Sequence, residues 1–184
     1  MNEQAKRARD EGDARVLHRG RYLTLLDERG WEYVTRGGIT GVVVIVAVTA
    51  EGKLLLVEQP RTALHKRVVE LPAGLVGDLE PGESLLAAAG RELIEETGYQ
   101  AREMAFLAEG PVAVGLSDEV LTFFQARGLA RVGPGGGDET EDIVVHEVPL
   151  AELRQFLAAR AAEGLAIDPK IYAGLFLLGV EVPA

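Results

Sequence analysis

Residues 41 to 50 read Gly-Val-Val-Val-Ile-Val-Ala-Val-Thr-Ala, a run that is almost wholly apolar and rich in β-branched side chains. Such side chains favour extended backbone over helix. A strand with one wet face would alternate polar and apolar residues, and this one does not. Thr40 to Thr49 is therefore expected to be a central strand covered on both faces, which obliges the chain to lay other elements on each side of it. The run is about half of the ~18 to 20 residues that a bilayer requires, so it belongs to a protein interior. A chain of 184 residues, with 47% hydrophobic and 26% charged residues, is long enough for one globular domain with a sizeable core.

The neighbouring segments supply the partners for that strand. From Arg15 to Leu26 apolar and polar residues partly alternate, and Trp31 to Thr35 has the pattern of a hairpin mate across a turn at Glu28-Arg29-Gly30. Lys53 to Glu58, Val68 to Leu71, Glu103 to Glu109, Val120 to Ala126 and Ile143 to Pro149 are further strand candidates, with Pro72-Ala73-Gly74 as a turn. Ser84 to Thr97, Leu150 to Glu163 and Pro169 to Leu178 read as helices. Many strands with few helices indicate an α+β sandwich built on a mixed β-sheet, with an antiparallel hairpin or sheet at its N-terminal end. Residues 1 to 14 are polar and are expected to be a flexible N-terminus ahead of a single domain over 15 to 184.

The formal net charge is −10, which argues against nucleic acid or an anionic membrane surface as a partner. It does not argue against a small anionic ligand, because divalent cations can bridge acidic residues to phosphates. There is no Cys, which removes disulfides, thiolate zinc sites and Cys nucleophiles from consideration. A cytoplasmic location fits that composition and the absence of an apolar leader at the start of the chain.

The helix at 84 to 97 concentrates the chemistry. Ser84 is suited to cap its start and Gly98 its end, and Leu85, Leu86, Ala89, Leu93 and Ile94 give it an apolar face. Glu92 and Glu96, four residues apart, share one face, with Glu95 beside them and Arg91 next to Glu92. Glu83 stands just before the first turn. Carboxylates gathered this closely repel one another unless cations lie among them. Hard oxygen donors without Cys suit Mg²⁺, or Mn²⁺, rather than Zn²⁺. A solvated acidic helix face would show the same three Glu residues, so the wider spacing has to decide.

That spacing is Gly77, five residues, Glu83, seven residues, then Arg91-Glu92-Leu93-Ile94-Glu95-Glu96-Thr97-Gly98-Tyr99. It resembles the Nudix box, Gly-x5-Glu-x7-Arg-Glu-U-x-Glu-Glu-x-Gly-U with U a bulky aliphatic, and all seven fixed residues are in register over 77 to 99. Tyr99 departs from the pattern at the final U. The resemblance implies a Nudix α/β/α sandwich in which Glu92 and Glu96 are the main Mg²⁺ ligands and Glu95 assists. It implies that Arg91 orients the helix carboxylates, that Glu83 supports Arg91 or the metals, and that the reaction is pyrophosphate hydrolysis.

Stretches outside the box resemble one branch of that family, the ADP-ribose and nucleoside-diphosphate-sugar pyrophosphatases, over roughly Tyr22 to Leu178. Glu70-Leu71-Pro72-Ala73-Gly74 matches the segment in which the carbonyl at the position of Ala73 is a metal ligand, and Glu70 is expected to bind substrate. Glu58-Gln59-Pro60-Arg61 matches a stretch in which Arg61 would contact a substrate phosphate. Leu116-Ser117-Asp118-Glu119 resembles the loop that reaches the terminal ribose or sugar, so Ser117 and Glu119 join the substrate set. The segment Asp138-Glu139-Thr140-Glu141-Asp142 resembles the branch's mobile catalytic loop, with Glu139 as general base and Glu141 as metal ligand or second base. The preceding glycines would let such a loop close over substrate.

The resemblance further implies a homodimer packed through residues 15 to 38. Trp31 would then be an interface or core anchor, with stacking on the substrate base as the alternative. His146, in an alternating strand, is expected to be structural. The expected substrate is ADP-ribose or a related nucleotide sugar. Two rivals are another Nudix substrate class, such as dinucleoside polyphosphates or coenzyme A, and a Nudix fold used only to sense a ligand. The intact box argues against the second.

Overall fold

The computed structural model describes residues 14–78, 82–137 and 141–180. Most of the expected flexible N-terminus, residues 1 to 13, and the proposed base Glu139 with its neighbours 138 and 140 lie outside that range. The strands are β1 (Arg15–Arg19), β2 (Leu23–Glu28), β3 (Trp31–Arg36), β4 (Gly41–Ala47), β5 (Lys53–Arg61), β6 (Lys66–Glu70), β7 (Ala73–Val76), β8 (Tyr99–Pro111), β9 (Val120–Arg131), β10 (Val144–Pro149) and β11 (Ala166–Ile167). The helices are α1 (Leu85–Thr97), α2 (Leu153–Ala162) and α3 (Lys170–Leu177).

β4 is the central strand that its composition required. It lies between β7 and β9 in a four-stranded sheet of order β7-β4-β9-β8, antiparallel to β7 and parallel to β9. Its side chains alternate between two cores. Val43, Ile45 and Ala47 pack with Ala88, Ala89 and Leu93 of α1. Val44 and Val46 pack with Leu54 and Leu56 of β5 and with Leu153, Leu157, Ile171 and Leu175 of α2 and α3. One strand is thus covered by α1 on one side and by α2 and α3 on the other, the α/β/α arrangement that two dry faces demand. A second sheet of order β10-β5-β6-β11 joins the first through the Val48–Leu54 bridge.

The N-terminal region is an antiparallel sheet as expected, a three-stranded meander of order β1-β2-β3. The single strand expected over Arg15 to Leu26 breaks at Gly20, where a Cβ would lie 3.1 Å from the Leu23 carbonyl oxygen. The turn at Arg29-Gly30 is as expected: both residues have positive φ, 55° and 84°, and Asp27 accepts from the Gly30 amide.

Two short strands went unread in the sequence. Ala73–Val76, expected as a turn, is β7, and Ala166–Ile167 is β11, parallel to β6. The apolar face of α1 also differs from expectation. Leu86 and Ile94 are exposed, while Ala88, Ala89, Leu93, Glu96 and Thr97 are buried. At 100° per residue, Glu96 falls in line with Ala89, Leu93 and the sheet, so a carboxylate occupies the buried face. No helix among the described residues is long and apolar enough to cross a membrane.

Candidate active site

The position of α1 is fixed by both ends and by one wall. Ser84 Oγ accepts from the Ala87 amide at 3.1 Å, and Gly98, with φ of 75°, donates its amide to the Ile94 carbonyl. The wall is β7, an edge strand whose inner side pairs with β4 and whose outer side takes three side chains of α1. Glu96 Oε2 accepts from the Ala73 amide at 3.0 Å. Glu92 lies against Gly74 so closely that a Cβ there would sit 2.0 Å from its carboxyl carbon and Oε1. Arg91 Nη2 reaches the Leu75 carbonyl at 3.5 Å.

Arg91 is the hub of this group. Its Nε and Nη2 donate to the two oxygens of Glu83 at 3.1 and 3.2 Å. Its Nη1 donates to Glu92 Oε1 and Glu95 Oε2, both at 2.9 Å. Bidentate, charge-assisted bonds of this kind fix direction as well as distance. The guanidinium holds Glu83 below the usual carboxylate range, and its own pKa rises, chiefly through the bonds to Glu83.

The other two carboxylates shift the opposite way. Burial pushes Glu92 up to about 7, against the pull of Arg91 and with the help of Glu95 and Asp78. Burial pushes Glu96 up to about 8, opposed by the Ala73 amide and reinforced by the negative charges of Glu92 and Glu141. Carboxylates raised in this way, Glu96 buried and Glu92 partly buried, are held as anions only by positive charge close by. Their oxygen-only donor set fits a hard divalent cation. Among the described residues no three His, Asp or Glu side chains already converge as a cation cage. Arg91 draws Glu92 and Glu95 to itself, so holding a cation would require these side chains to turn.

Arg61, Glu70 and Ala73 join this group. Arg61 donates bidentately to Glu70, Nε to Oε1 at 2.6 Å and Nη2 to Oε2 at 2.8 Å, and feels the charges of Glu96 and Asp168. Glu70 is 4% exposed, so its carboxylate is taken by Arg61 rather than held open. Glu141 belongs here by its charge on Glu96.

Ser117, Glu119 and Trp31 assemble elsewhere, on the N-terminal sheet. The Val34 amide donates to the Leu116 carbonyl, Val34 forms a bridge with Ser117, and Arg36 pairs with Glu119 at 3.0 Å. Trp31 is 61% exposed and sits near Gly115. His146 meets Glu58 at 3.0 Å and packs on Phe156. Sequence reasoning missed Gly74 as the space for Glu92, and Asp78 and Asp168 as charges on Glu92 and Arg61. Gly74 was visible only as a turn residue, and the two Asp carry no periodic signal.

The NUDIX domain model matches residues 39–167, which spans both sheets of the α/β/α body and the whole Arg91 cluster. The chain is 39% identical over 118 residues to a methanol dehydrogenase activator of Bacillus methanolicus, covering 64% of this chain but only 62% of that one. It is 35% identical over 160 residues to an ADP-ribose pyrophosphatase of Mycobacterium tuberculosis, covering 83% of this chain and 76% of the other. In fold it resembles the crystal structure of an ADP compounds hydrolase, with a TM-score of 0.68, 24% identity and coverage of 91% and 90%. The box in register, the carboxylates it gathers on α1 and the domain match agree: this chain belongs to the NUDIX domain family.

Proposed function

We propose that the chain hydrolyses the diphosphate of ADP-ribose, or of a closely related nucleoside diphosphate sugar, to a nucleoside monophosphate and a sugar phosphate. The observation that carries this reading is the pair of carboxylates Glu92, partly buried, and Glu96, buried, walled by β7 with the Arg61–Glu70 pair alongside. An ADP-ribose pyrophosphatase among the relatives supports the substrate class.

Glu92 and Glu96, with Glu95, Glu141 and the Ala73 carbonyl, would hold Mg²⁺, for which Mn²⁺ could substitute. Bound there, the cation supplies charge to the diphosphate oxygens and acidifies a water. Arg91 holds Glu92 and Glu95 on one side of α1, from which they would turn to the cation. Arg61 offers a guanidinium to a phosphate oxygen, with Glu70 fixing its direction. Glu139 takes a proton from the attacking water. The water oxygen bonds to one phosphorus, the bridging P–O bond breaks, and the leaving phosphate carries the bridging oxygen away. With ADP-ribose the products are AMP and ribose 5-phosphate.

A cytoplasmic homodimer is part of the same proposal. Exposed Val16, Tyr22, Leu23 and Trp31 at the N-terminal sheet support a partner surface there. In this reading Ser117 and Glu119 would meet the sugar, and Trp31 would anchor the interface or stack on the base. A panel of ADP-ribose and several nucleotide sugars with Mg²⁺ tests the substrate class. ADP-ribose should give AMP, and Glu92→Gln or Glu96→Gln should remove most turnover without unfolding the chain. Near-full activity in either variant would refute the ligand assignment.

A further inference from the structure

Glu141 lies between two anchors, and the structure shows what each is made of. On the N-terminal side, Gly133-Pro134-Gly135-Gly136-Gly137 is docked on the end of α1. The Val132 and Gly133 amides donate to the Gly98 carbonyl at 2.8 and 3.1 Å. The Gly136 amide donates to the Glu96 carbonyl at 2.8 Å and the Gly137 amide to the Glu95 carbonyl at 3.0 Å. These are carbonyls that the helix leaves without an internal partner at its C-terminus. The approach needs glycine on both sides: a Cβ on Gly135 would be 2.4 Å from the Thr97 carbonyl carbon, and one on Gly98 2.3 Å from the Gly133 oxygen. The glycines thus fasten this segment to the helix that bears the box carboxylates, where the sequence suggested freedom to move. Glu141 rests on that platform, since a Cβ on Gly137 would lie 2.3 Å from Glu141 Oε2.

On the C-terminal side the anchor is Arg67 of β6. Its Nη1 donates to Asp142 Oδ2 at 2.5 Å and its Nη2 to the Asp142 carbonyl at 3.1 Å. Behind it, Nε donates to Glu58 Oε1 at 2.6 Å and Nη2 to the Glu58 carbonyl at 3.1 Å. The second oxygen of Glu58 meets His146 Nε2 at 3.0 Å. Arg67 therefore reaches from β6 across β5 to the start of β10, whose Val144 pairs with Glu58. A planar fork that binds side chain and backbone of one residue fixes that residue in orientation, which Lys could not do.

We propose that Arg67 is a positioning residue, which by gripping Asp142 holds the adjacent Glu141 against the glycine platform on the C-terminal end of α1. Its catalytic consequence rests on the reading of Glu141 as a ligand or base; the anchoring itself does not.

Two measurements on the full chain separate these. Amide hydrogen exchange reports the anchoring, and kcat against KM with Mg²⁺ and ADP-ribose reports its use. Arg67→Gln should raise exchange at Glu141 to Ile143 about tenfold or more. It should lower kcat by about tenfold with KM within about twofold, since misplacement by an ångström affects the chemical step more than binding. Asp142→Ala should do the same, and the double variant should be no worse than Arg67→Gln alone. Arg67→Lys should recover little of the loss. Unchanged exchange in both single variants overturns the proposal, as do kcat losses that multiply in the double variant. Glu141→Gln is the control: full activity there refutes the role of Glu141, while the exchange result still decides for or against Arg67. Should Arg67→Gln not fold, Asp142→Ala, at a side chain 70% exposed, carries both measurements.

Discussion

Gly74→Ala is the most informative single change, because it should separate activity from stability. The added Cβ would meet the Glu92 carboxyl carbon and Oε1 at 2.0 Å, against ordinary contact from 3.4 Å outward. The carboxylate must therefore retreat by at least about 1.4 Å. It is the far end of a flexible side chain, and Gly74 lies in extended β7 with no positive φ to preserve, so the fold can absorb the change. Stability should move by less than about 1 kcal/mol, because the clash is relieved by turning one flexible side chain and not by moving backbone. A displacement of an ångström at a reacting centre costs on the order of 100-fold in rate, about 2.7 kcal/mol of transition-state stabilisation. The measurements are thermal melting, kcat with ADP-ribose, and Mn²⁺ affinity by electron paramagnetic resonance. We expect an unchanged melting temperature, kcat down by about 100-fold and weaker Mn²⁺ binding. Wild-type kcat with wild-type Mn²⁺ affinity would show that Glu92 need not stand against Gly74, and the role argued for β7 would fall.

Other consequences follow from the same site. Glu92 and Glu96 have folded pKa values raised to about 7 and about 8 above the 4.5 of a free Glu, so the folded state binds more protons than the unfolded state in between. Without divalent cations, stability should fall as pH rises from about 4.5 to about 8, and Mg²⁺ should restore it at the upper end. The depressed carboxylates Glu58, Glu83 and Glu147 have their stabilisation already in place above about 4.5 and do not offset this trend. A melting temperature that is flat or rises over that interval would contradict it. Tyr99→Phe removes the phenol that donates to Glu147 at 2.7 Å, leaving Glu147 with Lys53 and Arg131. Urea unfolding should show a loss of about 0.5 to 1.5 kcal/mol with an unchanged slope. No measurable loss would mean that the ring, which Phe keeps, and not the hydroxyl, carries the contact.

Much of the molecule is written in local pattern. The β-branched run at 41 to 50 required two covered faces, and β4 has them, because alternate side chains of one strand must point to opposite sides. Ser84, Gly98 and the four-residue step from Glu92 to Glu96 placed the helix and its carboxylates, because capping and helical pitch depend only on near neighbours. What local pattern could not reach was anything fixed by approach through space. Glu96 reads as one more solvated acid, and becomes a buried one only because β7, more than twenty residues earlier, brings the Ala73 amide to it. Four residues of β7 and two of β11 are too few to show a period, and they exist because β4 and β6 offer them hydrogen-bond partners. The glycines at 133 to 137 show freedom of backbone in sequence. Gly135, Gly136 and Gly137 do take positive φ, and at Gly135 the missing side chain also permits close contact with α1, a use that only the folded neighbour reveals. Spacing along the chain therefore established which residues carry charge and on which helix. Contacts between distant segments decided which of those charges are buried, which are paired with Arg91 or Arg61, and which are left in need of a cation.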